Sequence, residues 1–331
     1  YHFTNRIIRF PCINHSIFKD IPALMENISG VIDHLKSKLE TVPGSYPDLE
    51  VLTLVKTRDD SFYHTDAEGS SWRMYHYLKN TRSYDVIEDI SLGYEGGKAF
   101  GKFQSQLIDM DIHSLHETIP NFHNLEKRVA DFNQAILSDP VNRKAKVEAE
   151  IEFLLSRAEK MIGLSRKIEE MNSKRITHND TKFNNLLLNR DNQAQCVVDL
   201  DTVMPGYLAY DFGDAIRTLI NTANEDEENL EKITLNIPLF KAYTKGYLEE
   251  ASGFITRGEI DSLSAGMLIL PYMQSVRFLT DYLNGDQYYK VLFSGHNLQR
   301  TRAQNELLQK LENNMPLLET IIMESAAVSH S

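Results

Sequence analysis

Cysteine is nearly missing from the sequence. Cys12 and Cys196 are the two in 331 residues, too few for a disulfide-stapled scaffold, and their scarcity fits a reducing compartment. A positive charge balance is missing too: 35 Lys and Arg stand against 47 Asp and Glu, a formal net charge of −12. That argues against broad binding of nucleic acid or of an anionic membrane, both of which call for a basic surface. It leaves room for a phosphorylated ligand held by a few local cations or a metal. Long apolar runs are absent: GMLILPYM at Gly266–Met273 falls well short of the roughly 20 residues that span a bilayer. No signal-type segment, internal repeat or low-complexity linker is visible. The expectation is a cytoplasmic protein with no nucleic-acid or membrane partner. Its composition, 42% hydrophobic and 25% charged, is that of an ordinary globular chain long enough for one large domain or two lobes.

What is present divides unevenly. IIRF and VLTLVKT (Val51–Thr57) read as short strands, and IPALMENISGVIDHLKSKL between them carries apolar residues at i, i+3, i+4 spacing from Ile21 to Leu35, the mark of an amphipathic helix. WRMYHYL, ending near Lys79, reads as another strand. From Gly97 onward helical periodicity takes over, in KAFGKFQSQLIDM, NLEKRVADFNQAIL, AKVEAEIEFLLSRAEKMIGLSRKIEEM, the acidic NEDEENLEKI region, SVRFLTDYL and AQNELLQKLENNMPLLETIIM. CVVDLD (Cys196–Asp201) is the late strand. The expected fold class is therefore α+β and two-lobed, with an antiparallel-sheet N-lobe over residues 1–79 and a large, mostly helical C-lobe over 80–331.

Chemistry concentrates in THNDTKFNN (Thr177–Asn185), followed by LLL and then VVDLDTVMPG. Loop, strand, turn, strand and loop in that order bring Asn185 and Asp199 to one end of a hairpin. The spacing suits phosphoryl transfer to a hydroxyl. Asp180 would take the hydroxyl proton and Lys182 would neutralise charge on the transferred group. Asn185 and Asp199 would offer Mg²⁺ the hard oxygen ligands it prefers, and His178 would brace the loop. Asp201, two residues beyond Asp199 on the same expected strand face, is an additional or supporting metal ligand.

With those residues in place, HNDTKFNN and DLDTVMPGYLAYDFGDAIR (Asp199–Arg217) resemble the aminoglycoside phosphotransferase-like superfamily, within the protein-kinase-like fold. INHSIFKDIPALMENI (Ile13–Ile28), LHETIPNFHN (Leu115–Asn124) and RFLTDYLNGDQYYK (Arg277–Lys290) are similar to segments of the N-acetylhexosamine 1-kinases, so the likeness runs from about Ile13 to Arg302. The resemblance implies ATP as co-substrate, Mg²⁺, Asp180 as base and Asn185 and Asp199 as metal ligands. It also implies a sugar held by Arg277 and Tyr288, phosphorylated at its anomeric hydroxyl. An Arg can fork to hydroxyl oxygens and a Tyr can stack on a pyranose face. The strand WRMYHYL would lead into the hinge that meets adenine, making Tyr75, His76 and Tyr77 nucleotide contacts by position. His116 and Glu117 are further sugar-pocket candidates, from a loop that could reach the acceptor.

Other patterns carry less. LGYEGGKAFG (Leu92–Gly101) fails as a phosphate-binding loop, with three residues between Gly93 and Gly97 and Ala99 after Lys98; its glycines suit a closely packed helix. His116, Glu117 and His123 match no zinc spacing. Asp211 reads as a buried cap, Asp214 and Arg217 as an i, i+3 pair, and NEDEEN as a solvated helix start. The Gly-rich loop that such a fold places before its first helix is not found. Where relatives read Gln-Arg-Ile-Asn this chain has Pro11-Cys12-Ile13-Asn14, so the first strands of the small lobe are expected to be missing from this chain. Arg6 or Arg9, paired with Glu26, would supply the nucleotide's cation. Two rival readings keep the fold: a kinase for an aminoglycoside, choline or another alcohol, and a catalytically inactive ligand-binding relative.

Overall fold

Ile21, Leu24, Ile28, Val31, Ile32 and Leu35 fall on one stripe, and the helix they predict forms as α1 (Ile21–Glu40). Asp20 caps it by accepting from the Ala23 N–H at 3.0 Å, with Pro22 in the first turn, where its missing N–H costs nothing. The structure is a computed structural model and describes residues 8–9, 11–15 and 17–329; for residues 8, 9 and 329 it describes the backbone alone.

The small N-terminal part is short on sheet. β1 (Ile8–Arg9) pairs antiparallel with β4 (Tyr75–His76), and β2 (Tyr63–Thr65) with β3 (Ser71–Arg73). WRMYHYL is thus two strands, broken at Met74. The expected strand over Val51–Thr57 needs correction. After the short helix α2 (Pro47–Glu50) the segment runs beside β4, with Val55 N–H donating to Met74 O at 2.8 Å and His76 N–H to Thr53 O at 2.9 Å. It makes a single isolated bridge, Leu54 to Tyr75, because Val51 and Leu52 turn down into the core. That core is shared: Leu24, Ile28, Val31, Val51 and Tyr75 pack with Phe103, Leu107, Cys196, Leu200 and Val203 from further along the chain. The turn carrying Asp199 is therefore seated directly against the first helix and its strands. Arg6 lies outside the described residues and Arg9 has no described side chain, so the cation expected of them falls outside what the structure describes.

The rest is helical, with α3 (Ile90–Gln106), α4 (Leu125–Ser138), α5 (Glu148–Met171), α6 (Leu208–Leu219), α7 (Ile237–Ala251), α8 (Arg257–Leu283) and α9 (His296–Ser329) around one large core. Two antiparallel pairs interrupt it, β5 (Arg175–Thr177) with β8 (Met204–Gly206) and β6 (Leu186–Leu188) with β7 (Ala194–Val197). The glycines of LGYEGGKAFG belong to α3 and let it lie against α7. A Cβ at Gly97 would stand 2.0 Å from Tyr243 O, far inside van der Waals contact. The acidic NEDEEN stretch corrects another expectation. It is a loop rather than a helix start, and it ends in a single 3-10 turn at Leu230–Lys232. Its charges are not simply solvated: Glu225 Oε1 lies 2.5 Å from Arg217 Nη1, and Asp226 Oδ2 lies 2.9 Å from His296 Nε2. Among the described residues, no helix is long and apolar enough to cross a membrane.

Candidate active site

The β6–β7 hairpin sets the site's register. Leu186 pairs with Val197, and Val198 N–H donates to Asn185 O at 2.9 Å, so Asn185 and Asp199 emerge together at its open end. Thr177–Asn185 approaches this end as a tight loop whose backbone has few internal partners. Buried Asp211, near the start of α6, supplies them instead. Its Oδ2 accepts from His178 N–H at 2.8 Å and its Oδ1 from Asn179 N–H at 2.7 Å, while its carbonyl accepts from Thr181 Oγ1 at 2.5 Å. This bears out Asp211 as a cap, though of a loop rather than of a helix. His178 is buried, accepts from Asp180 N–H at Nδ1 (3.3 Å), and therefore donates from Nε2 to Val198 O at 2.9 Å. It ties the loop to the Asp199 turn.

On that frame the Asp180 carboxylate is aimed from two sides. Lys182 Nζ stands 3.0 Å from Oδ1, and Asn185 Nδ2 donates to Oδ2 at 3.0 Å and to the Asp180 carbonyl at 2.8 Å. Burial by itself would raise the Asp180 carboxyl, but Lys182, His178 and Asn185 outweigh it and hold it below the ordinary carboxylate range. Lys182, although burial disfavours its charge, is kept above its ordinary value by Asp180 and Asp214. With both Asn185 amide hydrogens directed at Asp180, its Oδ1 is left as an acceptor for a cation.

Asp199 sits in the left-handed region at φ 61°, which a short polar side chain tolerates. Desolvation by the surrounding protein, then the carboxylates of Asp201 and Asp180, push its carboxyl above the ordinary range. Crowded acidic oxygens beside a free amide oxygen fit a hard divalent cation. Among the described residues no group of three or more His, Cys, Asp or Glu side chains is placed to hold a metal ion. The expected strand-face logic for Asp201 does not hold. The strand ends at Val197 and Asp201 lies in a 3-10 turn, Leu200–Thr202. There both its oxygens meet Arg73 Nη2, at 2.6 and 2.7 Å. Sequence reasoning missed Arg73, the buried end of β3.

Gly206, in β8, leaves the space for this loop: a Cβ there would stand 2.2 Å from Thr177 Oγ1 and 2.8 Å from Asn179 Oδ1. Gly206→Ala is expected to cost about 1–3 kcal/mol in urea unfolding, as overpacking does, and to lower kcat by displacing Asp180. Unchanged kcat would show that the loop adapts.

A cavity of about 380 Å³ opens between α4 and the end of α8, lined by Arg128, Asp131, Arg277, Asp281, Tyr288 and Tyr289. It brings Arg277 and Tyr288 together. The Arg277 guanidinium donates from Nη1 to the neutral Gln274 Oε1 at 2.7 Å and lies 5.8 Å from the Tyr288 ring and 5.5 Å from the Tyr289 and Phe122 rings. Tyr288 is 54% exposed, so core packing does not explain it. Asp281 fixes the loop below, accepting from Gln287, Tyr288 and Tyr289 N–H at 2.8, 2.8 and 2.9 Å.

His116 and Glu117 are not at this cavity. His116 Nε2 pairs with Glu26 Oε2 on α1 at 2.9 Å, and Glu117 Oε1 accepts from Asn121 N–H at 3.0 Å. A Pro-containing turn sends the other end of their loop inward, and His123 is what reaches the site, its ring 5.3 Å from that of Tyr210. Burial, then Arg277 and Arg128, push the His123 pKa down to about 3 against the opposing pull of Asp180 and Asn179. The unfolded chain protonates this ring near pH 6.5, whereas the folded protein resists to about 3. Stability is therefore lost as pH falls through that window. Wild type is expected to lose about 1–2 kcal/mol more than His123→Asn between pH 7.5 and 5; parallel urea-unfolding curves would contradict it. Of the hinge candidates, Tyr75 is buried beside Arg73, His76 is half-buried and Tyr77 exposed.

A small antiparallel lobe seated on a helical one, with the Asp180 loop at the junction, is the protein-kinase-like fold. The chain belongs to the phosphotransferase enzyme family (APH), whose family model matches residues 53–246. Solved structures agree on the fold. An aminoglycoside phosphotransferase from Alicyclobacillus acidocaldarius superposes with a TM-score of 0.65 at 14% identity, covering 95% of this chain and 88% of its own. The AMP-bound complex of a spectinomycin phosphotransferase gives 0.56 at 10%, covering 93% and 88%. A choline kinase from Cryptosporidium parvum gives 0.53 at 14%, covering 98% and 86%.

Proposed function

We propose that this phosphotransferase moves the γ-phosphate of ATP to the anomeric hydroxyl of an N-acetylhexosamine, giving the sugar 1-phosphate. The observation that carries the transfer step is the Asp180 carboxylate, held by Lys182 at 3.0 Å and by Asn185 at 3.0 Å beside the Asp199 turn. The acceptor oxygen bonds to the γ-phosphorus as the bond to the ADP oxygen breaks, and the hydroxyl proton passes to Asp180. A carboxylate held below its ordinary range is a weak base, which suffices where the transition state is loose and positioning dominates. Asn185 Oδ1 and Asp199 would hold Mg²⁺, which would supply charge neutralisation on the phosphates, with Asp201 supporting. The AMP held by the spectinomycin phosphotransferase supports an adenine nucleotide here, with Tyr75–Tyr77 as its hinge.

For the acceptor, the charge balance of the cavity supports this reading. Asp281 is engaged by three backbone N–H groups and Asp131 by Lys127 at 3.0 Å, whereas Arg277 donates to the neutral Gln274 at 2.7 Å and meets no carboxylate among the described residues. The net field favours a neutral polyol over the cationic alcohol that a choline kinase or aminoglycoside kinase takes. An aromatic ring beside a guanidinium suits a pyranose. The test is ADP release with Mg-ATP and GlcNAc, GalNAc, glucose, galactose, choline or kanamycin, followed by phosphorus NMR of the product. Selective turnover of an N-acetylhexosamine to its 1-phosphate supports the proposal. Turnover of choline or kanamycin alone would discard the sugar pocket. Binding of an acceptor without turnover would point to an inactive relative.

A further inference from the structure

We infer that the cavity at the start of β5 is a binding site for a small phosphate monoester, and that its occupancy is felt by the Asp180 loop. The cavity is about 350 Å³, and its lining includes Gln104, Met110, His113, Lys174, Arg175 and Phe254. That size is ordinary for a small-molecule site. It shares no lining residue with the cavity of Arg277 and Tyr288.

The charge of this wall runs against the charge of the chain. The protein carries a formal net charge of −12, yet here Lys174 and Arg175 meet the His113 imidazole, and Asp111 is the sole acid in the lining. Asp111 is already in use, its Oδ1 accepting from His113 N–H at 3.0 Å. Lys174 is exposed and has no hydrogen-bond or ion-pair partner among the described residues. Arg175 is pinned in place. Its Nε and Nη2 reach Glu259 at 2.8 and 3.3 Å, a buried carboxylate that also accepts from Thr256 N–H at 2.7 Å to close the cap of α8. That leaves Nη1 unengaged on a side chain that is 28% exposed, so an oxyanion can reach it without breaking the Glu259 pair. An ammonium, one arm of a fixed guanidinium and a ring N–H offer donors to several phosphate oxygens. Two cations also match a phosphate dianion better than the single charge of a carboxylate. Met110, Leu208 and Phe254 give an apolar side for the ligand's carbon part.

Two routes lead from this wall to the catalytic loop. Gln104, 3% exposed, donates from Nε2 to Asp211 Oδ2 at 2.9 Å, the same oxygen that takes the His178 N–H at 2.8 Å. Arg175 opens β5, which runs directly into His178. A ligand that holds Arg175 and packs beside Gln104 steadies both supports of the loop that aims Asp180.

The experiment is calorimetric titration of the full chain with phenyl phosphate, benzoate and inorganic phosphate. Phenyl phosphate should bind more tightly than benzoate, which has one charge, and than inorganic phosphate, which lacks the ring. Lys174→Glu, at an exposed side chain, should weaken phenyl phosphate by about 10- to 100-fold, the worth of a charge-assisted contact. His113→Ala should weaken it less, and Arg277→Gln should leave it within about twofold. Hydrogen exchange across Thr177–Asn185 should slow when wild type holds phenyl phosphate. Equal affinity of wild type and Lys174→Glu, no binding by wild type, or loss of binding in Arg277→Gln instead overturns the site. Tighter binding of benzoate than of phenyl phosphate overturns the phosphate assignment. Binding with unchanged exchange overturns the coupling to the loop.

Discussion

Asp180→Asn is expected to lower kcat by about 10²- to 10⁴-fold, the usual worth of a positioned proton acceptor, with little change in acceptor binding. The substitution is nearly isosteric and keeps a carbonyl oxygen for Asn185 Nδ2, now at 3.0 Å from Oδ2, so the loop should hold its shape. What disappears is the proton acceptor and the charge that orients Lys182 at 3.0 Å. The two losses separate on one further variant. Lys182→Met keeps Asp180 but removes its ion pair; kcat should then fall less, and the Asp180 carboxyl should titrate higher, because Lys182 is the leading influence that lowers it against burial. Rapid-quench measurement of a single turnover reads the chemical step directly. Wild-type turnover in Asp180→Asn would remove Asp180 from the mechanism.

The linear motif was legible because the residues it brings together are close in sequence. His178 to Asn185 and the hairpin to Asp199 are joined by short connections, so spacing translated into geometry, and the Asn185–Asp199 juxtaposition followed from one antiparallel register. Arg73 escaped notice for the opposite reason. Its partner, Asp201, lies 128 positions away, and nothing in the local pattern SWRMY distinguishes an inward-facing lobe-crossing Arg from one at a strand end. His116 and Glu117 were chosen for residue type. Composition cannot say which end of a Pro-containing loop turns inward, and here Phe122 and His123 do. Periodicity served the helices well where one face is buried, as in α1. It misread NEDEENLEKI because acidic residues favour a helix N-terminus in isolation, while Arg217 and His296 pull two of them into a loop.

Asp211→Ala is expected to destabilise the protein by about 2–5 kcal/mol, because two buried backbone N–H groups, those of His178 and Asn179, would each lose an acceptor worth about 1–3 kcal/mol. The Gln104 amide loses its acceptor at 2.9 Å as well, although Gln104 remains held by Tyr247, whose O–H donates to its Oε1 at 2.5 Å. Asp211→Asn tests the charge apart from the shape. Its side chain can accept at one oxygen but must present an NH₂ to the second backbone N–H, so donor faces donor and the variant should recover only part of the loss. Urea unfolding of both variants, compared with Asp180→Asn, discriminates the roles. Asp180→Asn should keep wild-type stability and lose turnover, whereas Asp211→Ala should lose both, since without the cap the Asp180 backbone has no fixed position from which to aim. Asp211→Ala with wild-type stability would mean that the loop is held by His178 and the β5–β8 pair instead. Its Asp180 should then be fully active, an outcome the same kcat measurement would show.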